Sequence, residues 1–147
     1  MNCSPAVLVE GLEYSYGSRR ALAGVSFEVQ SGELFALLGP NGGGKTTLFR
    51  VISTLVAPQH GRVEVFGSGI RDDLYQIRRS IGVVFQSPSL DRKLTIDENL
   101  AQQAALYGVH GETFRKRRDE VLEQLGLRDR RSELVDKLSG GLRRRAD

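Results

Sequence analysis

The spacing of apolar positions changes several times along this chain, and each change marks an element. Val7 to Tyr14 (VLVEGLEY) is rich in strand-forming residues, and Val25 to Val29 (VSFEV) alternates apolar with polar side chains, the period of a half-buried strand. SYGSRR lies between them as a turn, which predicts an antiparallel pair. Leu34 to Leu38 is apolar at consecutive positions, as in a strand covered on both faces of a parallel sheet. From Lys45 to Leu55 the period becomes helical, with Leu48, Val51, Ile52 and Leu55 on one face, and Pro58 with Gly61 closes the helix. Arg62 to Phe66 (RVEVF) alternates as a strand, and Asp72 to Arg79 reads as a short helix opened by acidic residues. Ile81 to Phe85 (IGVVF) has the pattern of another buried strand.

The second half is helical. Thr95 to Tyr107 opens on Thr95 with Glu98 three residues later, the pattern of a capping box. Gly111 to Leu125 is a charged amphipathic helix with Phe114, Val121, Leu122 and Leu125 on its apolar side, ended by Gly126. Arg128 to Lys137 is polar and loop-like. Ser139 is then placed to cap a further helix.

With 147 residues, one core is expected. No apolar run approaches the ~18 residues of a membrane span. The N-terminal MNCSPAVLVEG has no basic region followed by an apolar stretch, and the single Cys3 cannot form an internal disulfide; a cytoplasmic, reducing setting is the expectation. The net charge is +3, and all but four of the 21 basic residues are arginine. The densest runs, Arg115 to Arg118 and Arg143 to Arg145, have acidic groups such as Asp119, Glu120 and Glu123 nearby, so they read as solvated faces and no nucleic-acid partner is expected.

The 17 glycines exceed the usual ~7% of residues, and several are clustered. Gly39-Pro40-Asn41-Gly42-Gly43-Gly44-Lys45-Thr46 fits the pattern Gly, four residues, Gly-Lys-Ser/Thr, between a predicted strand and a predicted helix. Glycines there let successive N–H groups turn toward an anion, and the following helix adds its positive end. Lys45 can reach β/γ-phosphates and Thr46 can offer its hydroxyl to Mg²⁺. A tight turn with a solvated lysine is the bland alternative, and the strand-loop-helix context argues against it. Three further positions are less specific by themselves. Tyr16 precedes a turn, where an aromatic usually packs. Gln86 follows a predicted strand at the edge where open α/β sheets bind ligands, although solvent alone would satisfy it. Leu138-Ser139-Gly140-Gly141 offers a capping hydroxyl and open amides, yet is common as a tetrapeptide.

Together these motifs resemble the nucleotide-binding domain of ATP-binding cassette (ABC) transporters over essentially the whole chain. The resemblance implies an α/β fold: a P-loop core with an N-terminal antiparallel β part over residues 1–86, a helical subdomain over 87–138, and the start of the signature helix over 139–147. It casts Tyr16 as the adenine-stacking aromatic, and Gly39, Pro40, Asn41, Gly42, Gly43, Gly44, Lys45, Thr46 and Thr47 as the phosphate-binding loop (Walker A). Lys45 and Gln86 become catalytic, Thr46 and Gln86 contacts to Mg²⁺, and Ser139, Gly140 and Gly141 the signature that faces ATP held by a second such domain. The implied partners are that second domain, arranged head to tail, and a separate membrane permease that holds the protein at the inner face of the membrane. QSPSLDRKLTIDENL and LSGGLRRRA look most like ATPase subunits of drug-resistance and ABC-2-type exporters.

In the family a strand ending in Asp-Glu (Walker B) and a switch histidine follow the signature; neither is found in these 147 residues. His60 and His110 do not match the latter and are expected at the surface. The chain therefore reads as the N-terminal portion of such an ATPase, inactive in hydrolysis alone, with Leu34 to Leu38 deprived of a neighbouring strand. A non-catalytic binding fragment and a soluble ABC-type regulator are the competing functions. Small P-loop kinases and GTPases fit poorly, since no Asn-Lys-x-Asp motif is present.

Overall fold

The computed structural model describes residues 4–147; Cys3 lies outside them. The chain divides into two compact units, Met1–Val83 and Val84–Asp147.

In the first unit, β1 (Val7–Tyr16), β2 (Arg19–Val29), β3 (His60–Val65) and the short β4 (Ser68–Gly69) form an antiparallel sheet of order β2-β1-β3-β4. The hairpin is longer than the alternation in VSFEV suggests: β2 begins at Arg19, paired with Tyr16 across a two-residue Gly17-Ser18 turn. Its sheet packs with α1 (Lys45–Ile52) and α2 (Leu74–Ser80) around Val9, Leu12, Leu22, Leu48, Val51, Val63, Val65, Ile70 and Ile77. Helix α1 ends three residues before the predicted Leu55. Thr54 takes a left-handed backbone (φ 62°), and Leu55 N–H returns to the Arg50 carbonyl at 2.9 Å, a C-terminal closure usually built on glycine. Arg78 secures this closure through the Thr54 hydroxyl and carbonyl at 2.9 and 3.2 Å.

Leu34 to Leu38 departs from expectation as a buried strand. The segment forms no ladder, and Leu34 and Leu38 are 98% and 88% exposed. Only Phe35 finds a ring partner, stacked on Phe27 at 5.0 Å. Ile81 to Phe85 is likewise no strand. An apolar run has strand propensity, but backbone groups need an adjacent strand to bond to, and neither segment has one among the described residues.

The second unit holds α3 (Ile96–Leu106), α4 (Gly111–Gln124) and α5 (Gly140–Ala146), with two 3₁₀ turns, Arg128–Arg130 and Val135–Lys137, in the stretch read as loop. Its core gathers Ile96, Leu122, Leu127, Val135, Leu138 and Ala146. The predicted capping box is formed: Glu98 N–H donates to the Thr95 hydroxyl at 3.2 Å, and the Glu98 carboxylate accepts from Thr95 N–H at 2.8 Å. Glu98 is thereby held below the usual glutamate pKa, by the Thr95 backbone first and its hydroxyl second. On α4, Leu122 is buried as expected while Val121 stays 41% exposed. His60 and His110 are both exposed.

Candidate functional site

The glycine loop runs directly into α1, whose N-cap is Gly44. Gly43 N–H donates to the Pro40 carbonyl at 3.2 Å and closes the turn, and the first helical bond, Leu48 N–H to the Gly44 carbonyl, is 2.9 Å. No side chain caps this helix. Its first N–H groups have no intrahelical acceptor and are aimed where an anion would sit. Gly44 is required twice over. Its φ is 83°, and a Cβ there would stand 2.4 Å from the Ala21 carbonyl oxygen, because β2 passes against the loop.

Lys45 Nζ donates to the carbonyls of Gly39 and Pro40 at 2.6 and 2.7 Å, which folds the ammonium over the loop. Thr46 is exposed, whereas Thr47 is buried. Tyr16, at the end of β1, lies beside the same helix: interaction of its hydroxyl with Thr47 first, and with Arg50 second, holds its pKa below the ordinary tyrosine value. The ring tilts against Tyr14 at 5.0 Å and remains 44% exposed. Tyr16 and the loop from Gly39 to Thr47 are thus gathered in one place.

Two contributors escaped sequence reading. Arg19 Nη2 stands 3.5 Å from where a side chain on Gly42 would begin, a second cation at the loop. Gln59 pairs with the backbone of Ser15, accepting its N–H at 2.7 Å and donating to its carbonyl at 3.0 Å, and so fixes the residue before Tyr16. The donor set fits a polyphosphate: an uncapped helix start, glycines that admit close approach, two cations and a free threonine hydroxyl for a phosphate-bound Mg²⁺.

In the second unit Gln86 is exposed, in a loop without regular structure. Ser139 caps α5, its Oγ accepting from Leu142 N–H at 3.3 Å, and Gly140 and Gly141 have open space where a side chain would be.

The ABC transporter family matches residues 22–147. The chain belongs to that family. Its relatives include the daunorubicin resistance ATP-binding protein DrrA3 of Streptomyces coeruleorubidus, 42% identical over 97% of this chain and 45% of that protein. The Nod factor export ATP-binding protein I of Ralstonia nicotianae is 39% identical over 97% of this chain and 44% of that protein. Among solved structures, cbiO1 from Clostridium perfringens, part of the ABC transporter complex cbiONQ, superposes with a TM-score of 0.85 at 30% identity, covering 97% of this chain and 59% of that one. This chain spans about half the length of the curated relatives it matches. The fold is that of ABC ATPase domains, an antiparallel sheet with helices in an α/β arrangement. Among the described residues, no helix is long and apolar enough to cross a membrane.

Proposed function

We propose that this chain is the ATP-binding portion of an ABC exporter subunit, which couples ATP binding and hydrolysis in the whole protein to transport through a separate membrane permease. The observation that carries this reading is the glycine loop at the start of α1, with the Lys45 ammonium over it and Tyr16 beside it. In this reading the amides of residues 42–47 and Lys45 take the triphosphate, Arg19 adds charge, and the Tyr16 ring carries the adenine. Thr46 and Gln86 are the proposed protein contacts of Mg²⁺, which would supply charge neutralisation at the phosphates. Ser139, Gly140 and Gly141 are proposed to face ATP held by a second, head-to-tail domain. Export is supported by the names of the relatives, which are resistance and Nod factor export proteins. Association with the inner membrane face through the permease belongs to the same proposal.

Binding of a fluorescent ATP analogue with Mg²⁺ tests the reading. Charge-assisted hydrogen bonds from Lys45 are worth ~1.5–3 kcal/mol, so Lys45→Ala weakens binding about 10- to 150-fold. Tyr16→Ala removes stacking worth ~1–3 kcal/mol and leaves the order of preference among nucleotides unchanged, since stacking accepts any base. Equal affinity for Lys45→Ala and the parent overturns the proposal.

A further inference from the structure

Residues 86–89 are exposed, and the flanking Leu90 packs against the second unit's core. What holds this loop is polar, and it comes from α5 and from Asp147, the residue that caps its C-terminus. The Asp147 carboxylate, its side chain only 1% exposed, accepts through Oδ1 from both the backbone N–H and the hydroxyl of Ser89, each at 2.7 Å. Its Oδ2 pairs with Arg144 Nη1 at 3.0 Å, and the same guanidinium nitrogen donates to the carbonyl of Phe85. Phe85 and Ser89 bracket Gln86, so one side chain of α5 and that of its C-cap residue grip the loop on either side of that glutamine. A carboxylate this buried is costly unless its oxygens are satisfied, and here the loop supplies two of the donors. Farther along, Asn99 of α3 pairs with the Asp91 backbone at 2.8 and 3.0 Å. The helix gripping the loop is the one opened by Ser139, Gly140 and Gly141.

We infer that Arg144 and Asp147 are positioning residues that fasten the Gln86 loop to the helix begun by Ser139-Gly140-Gly141, so that the two segments move as one body. The importance of those segments rests on the proposed nucleotide site; the fastening itself does not depend on nucleotide. Either segment, when displaced by a ligand or partner, carries the other with it.

Amide hydrogen exchange of the 147-residue chain without nucleotide tests the inference. Asp147→Ala removes both Ser89 bonds and accelerates exchange at residues 86–90 about tenfold, while α4 exchanges as in the parent. Because Asp147 is buried, Ser89→Ala provides the second variant: it removes one of the two bonds from an exposed position and accelerates the same amides several-fold. Ser89→Thr, which keeps the hydroxyl, restores the parent rate, and the double variant Ser89→Ala/Asp147→Ala exchanges no faster than Asp147→Ala alone. Unchanged exchange at 86–90 in Ser89→Ala and Asp147→Ala, or a Ser89→Thr chain as fast as Ser89→Ala, overturns it. Lys45→Ala separates the two claims: it tests nucleotide binding and leaves exchange at 86–90 as in the parent. A chain that fails to bind Mg-ATP but shows the Ser89 and Asp147 effects overturns the proposed function and supports the fastening.

Discussion

Glycine 44 and glycine 141 belong to motifs that look alike in sequence, yet they answer to different constraints. Gly44 has a left-handed backbone and a β2 carbonyl where a methyl group would go. Gly44→Ala therefore meets left-handed strain of ~1–2 kcal/mol in addition to the displaced Ala21 backbone, and thermal unfolding should report a clear loss. Gly141 has neither restraint and lies inside α5, so Gly141→Ala is expected to leave the melting temperature unchanged or raise it. The residue types at the loop were legible because phosphate binding imposes a fixed local spacing on glycines, lysine and threonine. Arg19 and Gln59 were not. Arg19 meets the loop only through the position of β2, and Gln59 reaches Ser15 across 44 positions, a pairing that no local pattern encodes.

The capping box and the antiparallel strands follow the local pattern, whereas Leu34 to Leu38 and Ile81 to Phe85 have strand composition and form no ladder. The capping box of α3 spans four residues and could be seen directly. Thr95→Ala removes the hydroxyl that caps Glu98 N–H and should cost ~1 kcal/mol in thermal or denaturant unfolding. Glu98 also makes this element pH-sensitive. Its folded pKa is lowered by Thr95, so its stabilisation is complete above the ordinary glutamate value and is lost as pH falls through the folded value. Glu98→Gln should accordingly flatten the acid limb of the stability profile over that range, which melting curves at successive pH values would measure. Leu34 to Leu38 shows the opposite case: its composition is that of a central strand, but a ladder is a property of two segments, and the apolar period carries no information about the second. The end of α1 failed to follow the periodicity because Thr54, a poor left-handed residue, is held there by Arg78, a contact across 24 positions.

At the scale of the whole chain, the exposed Leu34 and Leu38 are expected to govern association in solution. Unpaired apolar backbone invites pairing with another chain. Size-exclusion chromatography over a range of concentrations should show association that Leu34→Lys/Leu38→Lys reduces; a concentration-independent monomer in the parent would contradict that expectation. Family membership was legible from the order of the motifs along the chain, since that order survives even where strands do not form. We propose that ATP is held by the loop from Gly39 to Thr47, with Tyr16 beside it. A ¹⁵N–¹H correlation spectrum of the chain during titration with Mg-ATP tests this. The largest and earliest shifts are expected at the amides of Gly42, Gly44, Lys45, Thr46 and Thr47, with Tyr16 following the same binding curve. Saturable shifts confined to α3 and α4, with the loop amides unmoved, would contradict it.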